Sequence, residues 1–416
     1  MISSEEMFHW PIVTAEDEEA VISIMRAGIM SGTNVTQEFE KEFSAWLGTK
    51  YALGTCNGTA AIQEAFYACG VGPGTEVICP SMTYWASAAP AVSLGAEVVF
   101  ADIDPDTLCI DPEDIEHRIT DRTRAVIVVH YAGHPAEMDE ICAICHKHGV
   151  KVIEDVSHAQ GSLYKGRKCG TLGDIAAISM MGGKSFAIGE GGMVATNDRK
   201  LFESCMAFGH YERIAASRYS SPSEKVAPEL ERYAGCPLGG VKHRMNQTCS
   251  AMGRVQLKYY DERTEEIRKA MNYFWDLLAD CKSIKAHRPA ADSGSTMGGW
   301  YSPEGLFRGK DMDAYCEKVR NAGFEGCWPG ANTPLHIHPF FAERRKPESL
   351  PHSENIAKNA FRIPWFKHFD KEWIELYAEV YRKVADNYKE LLEGDSDKEQ
   401  GGRWHGQENT DEQKKR

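Results

Sequence analysis

Strand-like and helix-like patterns alternate through the first half of this chain, and few folds accept that order. Apolar, β-branched runs occur at Glu76–Cys79, Glu97–Ala101, Ala125–His130, Lys151–Glu154, Ala176–Met180 and Met193–Thr196. Helical patterns lie between them at Thr59–Cys69, Pro112–Ile119 and Ala136–His148. This alternation predicts an α/β fold, a mostly parallel sheet sandwiched by helices on both faces. Ligands of such sheets bind beyond the carboxyl ends of the strands. Tyr84, Asp155 and the Ser179–Lys184 segment each follow a predicted strand directly.

The second half reads differently. Gln247–Lys282 carries Ile267, Met271, Phe274 and Leu278 at helical spacing, which predicts a long helix or a bent helical pair. From Ser283 the chain reads as a smaller C-terminal α+β unit with helices at Met312–Ala322 and Lys371–Leu392. The expected division is an N-terminal segment (1–30), a large domain (31–260), the long helix with the small domain (261–394), and a charged, disordered tail (395–416).

Composition excludes several classes. The 416 residues are 42% hydrophobic, enough to bury a large core in two or three domains. A net charge of −14, from 61 acids against 47 bases, argues against nucleic acid and against a basic membrane patch. The N-terminus has neither a basic stretch nor a long apolar run, so no signal peptide is read and a cytoplasmic location is expected. The 13 cysteines then read as free, mostly buried thiols. Cys142-Ala-Ile-Cys145-His146 matches a haem-attachment spacing, but it falls inside a helical pattern and reads as helix packing. His336 and His338 lie one residue apart, without an evident third ligand for a metal.

Four local features carry chemistry when taken together. Asn57-Gly58-Thr59 opens a helix, where backbone amides, the helix dipole and a hydroxyl suit an anion. Tyr84 follows a strand and can lie flat on a heteroaromatic ring. Asp155 closes the run Val152-Ile153-Glu154-Asp155, with His158 three residues on. Lys184 sits among Ser179-Met180-Met181-Gly182-Gly183 and Gly189-Glu190-Gly191-Gly192. A lysine and an aspartate at neighbouring strand ends are what pyridoxal 5′-phosphate (PLP) needs. The amine forms a Schiff base with its aldehyde, and the carboxylate keeps its ring nitrogen protonated. Each feature alone has a plainer reading: a helix cap, a core aromatic, a surface lysine.

These residues, in this order, resemble the DegT/DnrJ/EryC1/StrS sugar aminotransferase family of fold type I PLP enzymes. The resemblance runs from Gly28 to about Leu392. It is carried by Asn57-Gly58-Thr59-Ala60-Ala61, Thr83-Tyr84, Ile153–Ala159, Gly173-Asp174 and Gly189–Gly192. It implies a seven-stranded-type sheet and a homodimer with shared active sites. It also implies that Lys184 holds PLP covalently, Asp155 pairs with the ring nitrogen, and Tyr84 stacks on the ring. Gly58, Thr59 and Ser179 would hold the phosphate, and His158 takes a position that is Gln or His in relatives. The family's Asn-Tyr-Arg segment, which reaches the partner's phosphate, is replaced here by Gly240–Met245. Lys242 would then neutralise the phosphate as a point charge, with Arg244 second to it. Dehydrating relatives carry His in place of the lysine, so Lys184 favours amino transfer.

The expected activity is therefore transfer of an amino group from glutamate or glutamine to a keto group on a sugar nucleotide or cyclitol. Met180-Met181 after Ser179 resembles the cyclitol and aminobenzoate branches more than the nucleotide-sugar enzymes. A PLP lyase, dehydratase or aminobenzoate-type synthase is the nearest alternative. A non-catalytic PLP- or sugar-binding regulator is the alternative of another class.

Overall fold

The computed structural model describes residues 2–214, 226–309, 311–324 and 326–387. Seven strands build the main sheet: β1 Tyr51–Thr55, β2 Glu76–Pro80, β3 Glu97–Ala101, β4 Thr123–Val129, β5 Lys151–Asp155, β6 Ile175–Ser179 and β7 Gly192–Thr196. Their order across the sheet is β1-β7-β6-β5-β4-β2-β3. Strand β7 runs antiparallel to both neighbours, and every other adjacent pair is parallel. This is the mixed, mostly parallel α/β architecture expected of a fold type I PLP enzyme.

The reversed strand has a local cause. β6 and β7 are two arms of one long hairpin, which can only pair antiparallel. Its ladder continues beyond the strands, with Met180 N–H donating to Gly191 O at 2.8 Å and Gly182 N–H to Gly189 O at 2.7 Å. Lys184 rides on the tip of that hairpin.

Alternation along the strands divides the interior. Val126 and Val128 join one apolar cluster with Phe39, Phe43, Ile78 and Val152. Ala125 and Ile127 join another, on the opposite face, with Leu53, Phe66, Val77 and Phe202. Both faces are covered, as a parallel sheet requires.

Six of the seven strands follow the predicted runs. The structure adds β1, whose Tyr-Ala-Leu-Gly-Thr has little β-branched character. Gly54 stands there because a side chain would meet Thr36 Cγ2 at 3.0 Å, and its N–H donates to Glu40 Oε1 at 2.8 Å. The tertiary neighbours, not local propensity, make it a strand.

One continuous helix, Gln247–Leu277, replaces the alternative of a bent pair, and Asn246 caps it by accepting from Thr248 N–H at 2.8 Å. It leads to a second, antiparallel sheet: β8 Ile284–Ala286, β9 Glu304–Phe307, β10 Trp328–Pro329 and β11 Ala360–Arg362, in the order β8-β9-β11-β10. A third core collects here from Phe274, Trp275, Tyr315, Phe361, Phe366 and Tyr381. The two helices expected in this unit form as Met312–Asn321 and Lys371–Asp386, and the helix Pro351–Asn359 is added before β11. The rest of the predicted Lys371–Leu392 helix, from residue 388, and the charged tail lie outside the described residues.

The N-terminal segment does not stand apart. Met7 is fully buried in the third core, the Phe8 ring lies 5.7 Å from Phe366, and Trp10 lies 5.4 Å from Trp365. Phe274 touches several of these rings, with centroids 5.5 Å from Phe366 and 5.4 Å from Tyr381. Phe274→Ala is expected to destabilise the protein by about 3–5 kcal/mol, read as a lower midpoint in denaturant unfolding.

Candidate active site

The carboxyl ends of β4, β5 and β6 open into one cavity of about 400 Å³. Gly58, Thr59, Tyr84, Asp155, His158, Ser179 and Lys184 all line it. Seven of the eight residues singled out as a site in the sequence are thus brought together. Lys242 is not among them. It is exposed, with Nζ 5.6 Å from the Tyr211 ring. Arg244, from the same segment, pairs with Thr55 in an isolated bridge.

Lys184 is 8% exposed. Its N–H donates to Met181 O at 2.8 Å, and its own carbonyl accepts from Trp10 Nε1 at 2.7 Å. The amine lies 4.0 Å from the centre of the Tyr301 ring. Burial pulls its pKa down to about 8, with the Asp155 charge acting in the other direction. A neutral amine is thereby accessible near physiological pH, which a nucleophilic lysine requires.

Asp155 closes β5 and is 4% exposed. Its Oδ2 accepts from Ser87 Oγ at 2.8 Å and its Oδ1 from Ser157 N–H at 3.1 Å. Ser87 Oγ is shared with Thr83 Oγ1 at 2.9 Å. Two donors from different segments therefore fix one carboxylate facing the cavity. His158 Nδ1 accepts from Ala132 N–H at 3.3 Å, which leaves the ring proton on Nε2. Burial, reinforced by the nearby Lys184 and Arg362 charges, pushes its pKa well down.

The anion end is the start of the helix Gly58–Ala68. Asn57 caps it, accepting from Ala60 N–H at 2.9 Å. The first-turn amides of Gly58 and Thr59 precede the first intrahelical donor and face the cavity region. Gly58 is required for a reason the sequence did not supply. A Cβ there would stand 2.5 Å from Ser179 Cβ. The glycine lets the helix start abut Ser179, so that both border one space. Tyr84 is 46% exposed and tilts against Trp85 at 5.1 Å, at the cavity mouth.

These residues fit PLP by their chemistry. Amides and hydroxyls suit a phosphate, a desolvated lysine suits an aldehyde, and a carboxylate held by two donors suits a ring nitrogen. PLP is the cofactor that the sequence resemblance implies, and this cavity offers the matching groups in one place.

The remaining wall was missed in the sequence. Tyr131, Tyr301, Ser302, Glu304, Asn332 and Arg362 also line the cavity. One signal was available: Gly298-Gly299-Trp300-Tyr301-Ser302-Pro303. A Cβ at Gly298 would lie 2.2 Å from Gln160 O, and one at Gly299 would lie 2.2 Å from Ser185 Cβ. Trp300 and Ser302 take positive φ values of 52° and 50°. Such strain concentrates at functional sites, and here it aims Tyr301 at Lys184.

The other sequence candidates have local roles. Cys142 and Cys145 lie on the helix Met138–Lys147, and His146 Nε2 pairs with Asp174 Oδ2 at 3.1 Å. His336 Nδ1 shares a 2.6 Å hydrogen bond with Ser81 Oγ, and His338 Nδ1 accepts from Phe340 N–H. Among the described residues no group of three or more His, Cys, Asp or Glu side chains could hold a metal ion.

Comparison with known proteins bears on the family and the fold. The sequence model of the DegT/DnrJ/EryC1/StrS aminotransferase family matches residues 11–381. A GDP-perosamine synthase of Escherichia coli O157:H7 is 35% identical over 367 residues, 88% of this chain and 94% of that protein. An L-glutamine:2-deoxy-scyllo-inosose aminotransferase of Streptoalloteichus tenebrarius is 31% identical over 373 residues, 85% of each chain. The solved aminotransferase from Psychrobacter cryohalolentis superposes with a TM-score of 0.82 at 28% identity, covering 92% of this chain and 99% of that one.

Two outcomes test the geometry. Gly58→Ala should separate the helix start from Ser179 and weaken PLP binding roughly tenfold or more, measured by titrating the apo protein. With a Lys184 pKa of about 8, the neutral amine grows as pH rises. PLP uptake by the apo protein, followed in visible absorbance, should therefore accelerate roughly tenfold between pH 7 and pH 9.

Proposed function

The chain belongs to the DegT/DnrJ/EryC1/StrS aminotransferase family, and from that premise we propose that it moves an amino group from glutamate or glutamine to a keto group of a sugar nucleotide or cyclitol. It is a PLP-dependent aminotransferase. The relatives' names support the acceptor class: one makes GDP-perosamine, another acts on 2-deoxy-scyllo-inosose with L-glutamine. The observation that carries the reading is the convergence of Lys184, Asp155 and the Gly58–Thr59 helix start on one cavity.

Bound PLP supplies an electron sink for the substrate carbon that gains or loses its proton. Lys184 would hold the cofactor, and its amine is the group that would move that proton. Asp155, its carboxylate fixed by Ser87 and Ser157, would keep a proton on the ring nitrogen. His158 packs beside Tyr301 at 4.7 Å and fills the space next to the lysine with a neutral ring. Gly58, Thr59 and Ser179 would hold the phosphate, and Tyr84 would supply an aromatic face for the ring.

The only cationic lysine or arginine side chains lining the cavity, among the described residues, are Lys184 and Arg362. The phosphate end therefore has no cation of its own. Lys242, exposed and outside the cavity, suits a second copy of the chain. We read the protein as a homodimer with shared sites, working in the cytoplasm. No helix among the described residues is long and apolar enough to cross a membrane. For this reading we keep residues 31–260 as the cofactor-binding domain and 261–394 as the smaller unit, the boundary falling inside the continuous helix Gln247–Leu277 that joins them.

Purified protein should release at most one equivalent of 2-oxo acid per site from glutamate or glutamine alone, and should go on releasing it over many turnovers only when an acceptor is present in excess. Lys184→Ala should abolish that turnover, and borohydride should fix PLP on Lys184 in the wild type. Sharing has its own test. Mixing inactive Lys184→Ala with Lys242→Ala chains should restore about a quarter of wild-type activity, because random pairing leaves one intact site in half the dimers. No recovery on mixing would remove Lys242 from the partner's site.

A further inference from the structure

The cavity has a second wall that the cofactor chemistry leaves unused. Glu304 on β9 and Arg362 on β11 are directly opposed in the strand register. Opposed residues of an antiparallel pair point to the same face, and both line the cavity. Glu304 is 2% exposed. Its Oε1 accepts from Tyr131 OH at 3.3 Å, and that same hydroxyl accepts from Asn332 N–H at 3.3 Å.

Three polar atoms on these neighbouring segments are buried without a partner in the protein: Glu304 Oε2, Arg362 Nε and Thr333 Oγ1. Buried polar atoms left unpaired are uncommon and cost stability. A group of them beside a substrate-sized cavity calls for a ligand that supplies both donors and acceptors. Burial pushes the Glu304 carboxyl up to about 8, against the nearby Arg362 charge. At neutral pH this acid can donate a hydrogen bond, and above it the carboxylate accepts one. A ring hydroxyl suits either state. A ligand carboxylate placed beside Glu304 would instead crowd two acids together.

We propose that Glu304, steadied by Tyr131 and faced by Arg362, is the specificity-determining residue that reads ring hydroxyls of a polyhydroxylated acceptor. The assignment rests on the acceptor class proposed above. It separates the two half-reactions, because the amino-acid donor presents no such hydroxyls.

The test uses the PLP-loaded enzyme. The donor half is followed in single turnover with glutamate and with glutamine. The acceptor half uses 2-deoxy-scyllo-inosose, and GDP-perosamine in the reverse direction. Glu304→Leu is expected to raise the KM for whichever of these the wild type takes by tenfold or more, with the donor half within twofold. Glu304→Gln, which keeps neutral hydrogen bonding, should stay within threefold of wild type at pH 7. Tyr131→Phe removes the supporting hydroxyl while keeping the ring, and should raise acceptor KM severalfold without moving the donor half. It also serves should the leucine variant fail to fold. The assignment is overturned if Tyr131→Phe and every folded Glu304 variant leave acceptor KM unchanged, or if donor and acceptor halves move together. A wild type that completes the donor half yet takes neither probe overturns the acceptor class, and this assignment with it.

Discussion

Burying the amine of Lys184 is the constraint around which the rest is arranged. Removing an ammonium from water is costly, and the protein answers by lowering its pKa to about 8 and placing Asp155 within electrostatic reach. The backbone that carries the amine is fixed from three sides. The β6–β7 hairpin sets its position, Met181 O takes its N–H, and the Trp10 indole holds its carbonyl. The indole comes from the N-terminal segment, which is itself seated on the third core through Met7 and Phe8. Chain that is far away in sequence thus holds the reactive lysine in register with the ends of β4 and β5.

A second buried network supports the outward-facing side. Glu64, on the helix that begins at Gly58, shares its Oε1 with His210 Nε2 at 2.9 Å and His243 Nδ1 at 3.1 Å. Burial raises the Glu64 carboxyl to about 7. The same stretch is tied to β1 and to the helix Arg199–Gly209: Cys56 N–H donates to His243 O, and His243 N–H to Gly209 O. Lys242 therefore projects from a clamped base rather than from a loose loop. The helix that begins at Gly58 and the segment that carries Lys242 are locked to each other through one carboxylate.

Legibility followed locality. Runs such as Val152–Asp155 announce themselves because a strand buried on both faces is apolar throughout. The residue that follows each strand then falls at the sheet's carboxyl edge without further information. Asp155, Ser179 and Lys184 were found in this way, and Gly58 and Thr59 through their helix start. Strand β1 was not, because Gly54 is dictated by Thr36 and Glu40 rather than by its own neighbours in sequence. Tyr301, Glu304 and Arg362 were missed for a related reason. They reach the cavity only after more than a hundred intervening residues have folded, and a short antiparallel sheet writes no strong period into its strands. The pair Gly298-Gly299 was a trace of it, since both positions exclude a side chain against the Gln160–Ser162 and Ser185 region.

That difference in origin separates the two walls in function. The first wall is built from residues at or a few positions beyond the ends of consecutive strands of the main sheet. The second wall hangs on β9, β11 and the turn at Trp300–Ser302, whose packing against the first wall runs through Tyr131 and His158. Glu304, Asn332 and Arg362 line the same cavity as Lys184, Asp155 and the Gly58 helix start, but they are carried by other segments of the chain. The cavity thus has one wall tied to the core of the main sheet and another carried on a sheet of its own, so that the second can vary without passing through the first.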